Sequence, residues 1–265
     1  MRQWLIVWSS CLLLSLEGCS TWFNKTSDNI TLDTQSSSQA ISYSYRISTS
    51  SDTATECKSE HCSKVSVKLV AFDGKPKINA FLDQSLAALG EADNESKPPH
   101  RSIAAFKDYF FRTTKTAQTV SLESSVIRNS KAVVVIELDS LIFNGQNTLS
   151  TTQYLNWLPL ADQLITLDGM LLPNRSVALE QLILQRYEQW LRDHKDEIGN
   201  LQAFRKIWPF IPTDNIALLD DGLLVSYDPV LLAPYQFGKL SWVIPYTQLS
   251  NILRPELLPA MVNKN

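Results

Sequence analysis

A chain of 265 residues, 44% of them hydrophobic, is long enough to bury one large core or two small ones. A formal net charge of −3 without local basic runs excludes a phosphate-backbone footprint, so nucleic acid is not an expected partner. Beyond the first residues no apolar run approaches the roughly 18 needed to cross a bilayer, so the body is expected to carry no membrane span.

The chain opens with Arg2 and a mostly apolar run from Leu5 to Leu16, too short for a span that needs about 20 residues, and reads as the core of a secretory signal. The run ends in Leu16-Glu17-Gly18-Cys19, which resembles the bacterial lipobox, with Leu at −3, Gly at −1 and Cys at +1. Glu17 departs from the small residue usual at −2. This pattern predicts a signal peptide over 1–18 and a mature protein starting at a lipidated Cys19. The thiol is required because diacylglycerol is transferred to sulfur before cleavage. Several acyl chains, at about 0.8 kcal/mol per buried methylene, would tether a soluble body to the membrane. Ser20 stands where inner-membrane retention signals place Asp, so the expected location is the outer membrane of a bacterial envelope, facing the periplasm.

Residues 19–40 are dense in Ser, Thr, Asn and Asp and read as a flexible linker. Ile41 to Ile47 and Lys64 to Phe72 alternate apolar and polar, which predicts a hairpin whose tip carries CKSEHC. In an oxidising compartment Cys57 and Cys62 read as a disulfide contributing about 2 kcal/mol. The competing reading adds His61 as a metal ligand, but a fourth ligand and the usual C-x2-C spacing are missing. Ile78, Phe81, Leu82, Leu86 and Leu89 share a helical face ended by Gly90, and Ile103, Phe106 and Phe110 suggest a second helix. From Gln118 to Asn156 the period returns to two, which predicts three antiparallel strands. Leu179, Leu182, Ile183, Tyr187, Trp190, Leu191, His194 and Ile198 line one stripe of a long helix stopped by Gly199. Asp220-Asp221-Gly222 then reads as the turn of a hairpin, followed by a Pro-rich loop, a strand over Lys239 to Ile244 and a short helix around Thr247 to Leu253. Strands and helices come in blocks, so the expected class is α+β, with antiparallel sheets and packed helices in a two-part body. The expected parts are an N-terminal module over 41–117 and a C-terminal domain over 118–265.

The stretch from Asp214 to Leu253 resembles the end of the extracellular domain shared by the lysozyme-sensing anti-sigma factor RsiV and PdaC-type peptidoglycan deacetylase. The matching pieces are the Asp-Gly hairpin, the turn Pro234, Tyr235, Gly238, and the strand exit Val243-Ile-Pro-Tyr-x-x-Leu249. Upstream, Tyr154-Leu-Asn-Trp157, Leu164 to Leu171 and Ile78-Asn79-Ala-Phe-Leu82 are similar to earlier pieces of the same family. Many relatives have an aromatic and an acidic residue after the Asp-Pro step, where this chain has Val230 and Leu231. The resemblance implies a domain type and a ligand, lysozyme or a similar muramidase; it brings neither a sigma-binding segment nor a deacetylase domain.

The sequence holds no G-x-S-x-G elbow, H-E-x-x-H pair or phosphate loop, and only three histidines, His61, His100 and His194. His194 with Glu197 could form an i,i+3 pair, but it lies on the core-facing stripe. Asp168-Gly169 and Asp220-Asp221-Gly222 sit where turns alone would place them. No catalysis, metal or cofactor is expected. Of the aromatics gathered at the end of the chain, Tyr227, Tyr235, Phe237, Trp242 and Tyr246, the loop residues Tyr235 and Phe237 are the candidate ligand-binding pair. The leading expectation is a non-catalytic, lipid-anchored envelope protein that binds a protein or cell-wall ligand. The alternatives are a structural accessory lipoprotein and, disfavoured by the missing chemistry, a hydrolase acting on peptidoglycan.

Overall fold

A computed structural model describes residues 43–54, 62–91, 100–114 and 117–259. The expected signal peptide, Cys19, the linker, Cys57 and His61 lie outside the described residues.

Alternating apolar residues build the first sheet. β1 (Tyr45–Thr53) and β2 (Lys64–Phe72) pair antiparallel in one unbroken register, Tyr45 opposite Phe72 and Thr53 opposite Lys64. Two helices follow, α1 (Pro76–Leu89) and α2 (Ile103–Thr113). Proline is tolerated at the first turn of α1, where its missing N–H has no partner to lose. Ser102 caps α2 by accepting from the Ala105 N–H at 3.1 Å. The chain returns as the meander β3 (Thr119–Asn129), β4 (Val134–Phe143) and β5 (Thr148–Leu158), closed by the two-residue β6 (Gln163–Leu164). The strand order is β1-β2-β3-β4-β5-β6.

This sheet is mixed. Every neighbouring pair is antiparallel as expected except β2 and β3, which run parallel with Val65 opposite Val120. A parallel pair needs a crossover, and α1 and α2 supply it. The helices drop Ile78, Leu82, Leu86, Phe106 and Phe110 onto Val65, Val67, Leu122, Ile136, Leu138 and Trp157 of the sheet to form the main core. Gly90 ends α1, but its φ is ordinary. The constraint is spatial: a Cβ there would lie 2.7 Å from the Phe106 ring. The sheet is continuous across the expected module boundary at 117/118, because β2 and β3 lie side by side within it.

The remaining chain packs on the sheet's other side. α3 (Leu167–Met170) is capped by Thr166, and α4 (Ser176–Asp193) carries Leu179, Ile183, Tyr187, Trp190 and Leu191 on its buried face. The expected long helix is broken. At His194 the backbone leaves helical geometry, α5 (Lys195–Ile198) adds one turn, and Gly199 ends it at φ +73°. α6 (Leu201–Ile207) doubles back, held by Arg205, whose guanidinium donates two bonds to the Glu188 carboxylate at 3.1 and 2.6 Å. β7 (Ile216–Leu218), β8 (Gly222–Tyr227) and β9 (Leu240–Pro245) then form a three-stranded antiparallel sheet. In place of the expected last helix stands a single 3-10 turn, Tyr246–Gln248, after which the chain ties back to the α3 exit through Leu172 N–H donating to Ile252 O at 2.8 Å. No helix among the described residues is long and apolar enough to cross a membrane.

Candidate functional site

Strand alternation sends Val134, Ile136 and Leu138 of β4 into the helix-covered core, and so sends Glu137 and Asp139 to the opposite face. There they sit across from Tyr154 and Thr152 of β5. The Tyr154 hydroxyl donates to Glu137 Oε1 at 2.9 Å, and the Thr152 hydroxyl donates to Asp139 Oδ1 at 2.7 Å.

The outer edge of β5 lacks a partner strand at this level, since β6 pairs only with Trp157 and Leu158. Side chains take the strand's place. Asn215 accepts from the Tyr154 N–H at 3.0 Å and donates to Thr152 O at 2.7 Å, while Asp228 Oδ1 accepts from the Thr152 N–H at 2.8 Å. Asn156 does the converse for β7, donating to Ile216 O and accepting from the Leu218 N–H, both at 2.8 Å. These four contacts from two asparagines join the two sheets.

Lys239 completes the cluster, donating to Glu137 Oε1 and Thr152 Oγ1, both at 3.4 Å. Burial raises the Asp139 carboxyl above the ordinary carboxylate range; the Thr152 hydroxyl opposes the shift and the neighbouring Glu137 adds to it. Asp228 is likewise raised by burial, against the pull of the Thr152 N–H. Burial, together with the Glu137 acceptor, pushes the Tyr154 phenol well above its usual value. A phenol held in its neutral form is a poor base, and each carboxylate already accepts a hydrogen bond. These bonds tie β4, β5 and the chain around Asp228 and Lys239 together. Among the described residues no group of three or more His, Cys, Asp and Glu is arranged to hold a metal ion.

Asp228 and Lys239 bracket the loop that carries both candidate residues, so its two ends are fixed on this cluster. Between them Leu232 and Ala233 are buried, and the Tyr187 hydroxyl lies between Trp208 O at 2.8 Å and Leu232 O at 3.2 Å. Phe237 turns inward. Its ring lies 5.2 Å from Trp190, 5.9 Å from His194 and 6.5 Å from Phe204, half-buried as a packing residue. Tyr235 turns outward, 59% exposed, and Val230 at 49% and Leu231 at 43% are exposed as well. Val230 has φ +66°, a left-handed conformation that a β-branched residue adopts only under strain, at a cost of about 1–3 kcal/mol.

Other sequence candidates resolve into structural parts. His194 stacks on Trp190 at 4.6 Å with Nδ1 2.9 Å from Trp190 O, and the Glu197 side chain is exposed. His100 lies edge-on to Tyr109 at 4.8 Å and 3.9 Å from Glu91. Asp168 sits in the first turn of α3, and Asp220 pairs with Arg128 at 2.8 Å. The hydroxyl groups of Tyr227 and Tyr246 donate to Ile211 O and Leu219 O, and Trp242 packs on Tyr227. Cys62 is disulfide-bonded. Asn156, Asn215, Asp139 and Lys239 were not singled out by sequence; an Asn that mimics a strand carries no periodic signal.

A further concavity of about 340 Å³ lies between α3, the start of α4 and residues 212–214, with Leu179 and Ile183 among its apolar lining and Glu180 and Asp214 as its acidic groups.

Residues 168–247, from α3 through the loop and β9, match the profile of a family described as protein of unknown function (DUF3298). The fold is also shared with solved structures. A DUF3298 family protein from Pseudomonas aeruginosa superposes with a TM-score of 0.74 at 23% identity, over 82% of this chain and 97% of that one. A DUF3298 family member from Bacteroides fragilis superposes with a TM-score of 0.63 at 15% identity, over 82% and 96%. No curated protein matches the chain. The DUF3298 match contains Asn215, Asp228 and Lys239 as well as the loop they hold.

Proposed function

We propose that this chain is a lipid-anchored protein of the bacterial cell envelope that binds a basic protein, lysozyme or a similar muramidase, through the loop 229–238 and without catalysis. The observation that carries this reading is the loop itself: fixed at both ends and with Leu232 buried, it holds Val230 in a strained conformation and exposes Val230, Leu231 and Tyr235. Strain of this kind persists where the surroundings over-determine it, and a preorganised apolar tip loses little entropy on binding. Glu137, Asp139 and Asp228 outnumber Lys239 at the base of the loop, which favours a cationic ligand. Leu16-Glu17-Gly18-Cys19 supports the anchor at Cys19, and the resemblance of 214–253 to the lysozyme-sensing domains supports the choice of ligand.

Calorimetric titration of residues 20–265 with hen lysozyme at low and moderate salt tests the reading. The expected result is binding that weakens as salt screens the acidic base. Absence of heat at both salt concentrations, with the body shown to be folded, would remove lysozyme as the ligand. Binding that persists in Tyr235→Ala but is lost in Glu180→Gln would move the site to the cleft beside α4.

A further inference from the structure

Side chains bond to part of one edge of the six-stranded sheet, and at the other edge β1 has no second partner strand among the described residues. At β5, Asn215 and Asp228 take up the outward N–H and C=O of Thr152 and the N–H of Tyr154. At β1 the outward groups face away from β2 along the whole strand. The Asp73 N–H donates to Ser44 O and the Ala54 N–H to Ser63 O, which fixes the parity of the ladder. The even residues of β1 bond to β2, so Tyr45, Ile47, Thr49, Ser51 and Thr53 turn their N–H and C=O groups outward. All nine residues of β1 are exposed, and their register with β2 has no bulge. The sequence YRISTSSDT holds no Lys or Pro, the residues that usually blunt such an edge.

We infer that β1 is a homodimer interface, pairing antiparallel with β1 of a second copy about a two-fold axis at Thr49 to join two six-stranded sheets. An isologous pair must place each residue opposite its mirror position in the partner, so the axis fixes every contact. With the axis at Thr49, Tyr45 faces Thr53, Ile47 faces Ser51 and Thr49 faces itself, and every outward backbone group of each β1 meets its complement. The same register sets Arg46 opposite Asp52, at a position where side chains across the ladder come closest. Registers with the axis one residue to either side also pair outward groups but put Arg46 opposite Ser50 or Ala54. Arg46 is free to make the contact: its side chain is 78% exposed, and its bond to Asp73 in the same chain is long at 3.6 Å. Asp52 is already positioned by Lys107 at 2.6 Å, which holds its carboxylate on the face where Arg46 of the second copy would arrive. Charge complementarity therefore selects a second copy, in this one register.

Cysteine cross-linking of the full chain in cells tests both the partner and the register. Thr49→Cys places two thiols across the axis, at a Cα separation of about 5.5 Å that a disulfide spans. Under mild oxidation it is expected to give a covalent dimer on a non-reducing gel. Ser51→Cys, and the chain without substitution, are expected to give none; Ile47→Cys combined with Ser51→Cys restores the dimer. Thr49→Pro removes an outward N–H without touching the bonds to β2 and is expected to abolish dimerisation, measured by the loss of the Ile47–Ser51 cross-link in that background. Arg46→Asp is expected to weaken the Thr49 cross-link, and adding Asp52→Arg to recover it. No Thr49 cross-link, an equally strong one from Ser51→Cys alone, or an adduct to a different protein would overturn the inference. Pairing of β1 with residues 20–40 of its own chain would give the first of these results.

Discussion

Asn156 is almost wholly buried, and its amide satisfies both a donor and an acceptor of β7. Asn156→Ala leaves the Ile216 carbonyl and the Leu218 N–H without partners and is expected to cost about 2–4 kcal/mol, read from urea unfolding. Asn156→Asp should cost a similar amount, since a carboxylate cannot donate to Ile216 O. Asp139 behaves in the opposite sense. Its folded-state pKa is raised, so its contribution to stability is fullest below the unfolded value of about 3.8 and is lost as pH rises through the folded value. Asp139→Asn keeps an acceptor for the Thr152 hydroxyl and removes a charge that burial penalises. Its melting temperature should exceed that of the parent at pH 7, and the gap should close as pH falls toward 3. Neither residue stood out in the sequence: both lie in the stretch from Gln118 to Asn156, where period-two alternation marks strands and gives a polar position no further signal.

The pattern of apolar residues located most of the elements, since amphipathic strands and helices must place their side chains at periods of two and 3.6 to reach a core. It could not see direction. β2 alternates in the same way whether its neighbour runs parallel or antiparallel, so the β2–β3 pairing emerged only from the crossover through α1 and α2. Asp-Gly turns were legible as positions, but their reason differs. Gly222 has no positive φ; it begins β8 because β9 passes so close that a Cβ would clash with the Ile244 carbonyl oxygen. Gly222→Ala must therefore push two paired strands apart and is expected to destabilise by about 2–3 kcal/mol in urea titration. Gly169→Ala, whose nearest neighbour is the Ile165 side chain at 3.1 Å, should cost clearly less, because a side chain can yield where a paired backbone cannot. The long helix was misread where His194 ends it. Trp190 and His194 stack there and meet the Phe237 ring edge-on to seat the loop, a tertiary demand that the apolar stripe does not reveal.

At the scale of the whole molecule, the two asparagine bridges make one body of two sheets, and that body presents the loop 229–238 from an acidic base. Of the two residues singled out by sequence, Tyr235 faces solvent and Phe237 is the peg that fixes the loop, a distinction set by which ring finds an aromatic pocket. Val230 and Leu231, noted as departures from the family pattern, are exposed apolar residues of the same loop, and the strain at Val230 had no sequence signature at all. The central claim is that the loop is held in its shape for binding rather than for stability. The most direct measurement compares Val230→Gly with Tyr235→Ala in thermal unfolding and in calorimetric titration with hen lysozyme. Glycine adopts φ +66° freely, so Val230→Gly should hold or raise stability, by up to about 1 kcal/mol, yet weaken lysozyme binding about tenfold through the lost apolar contact and the loosened loop. Tyr235→Ala should leave stability unchanged and weaken binding at least as much. Wild-type affinity in both variants, or loss of binding only in proportion to loss of fold, would contradict the account.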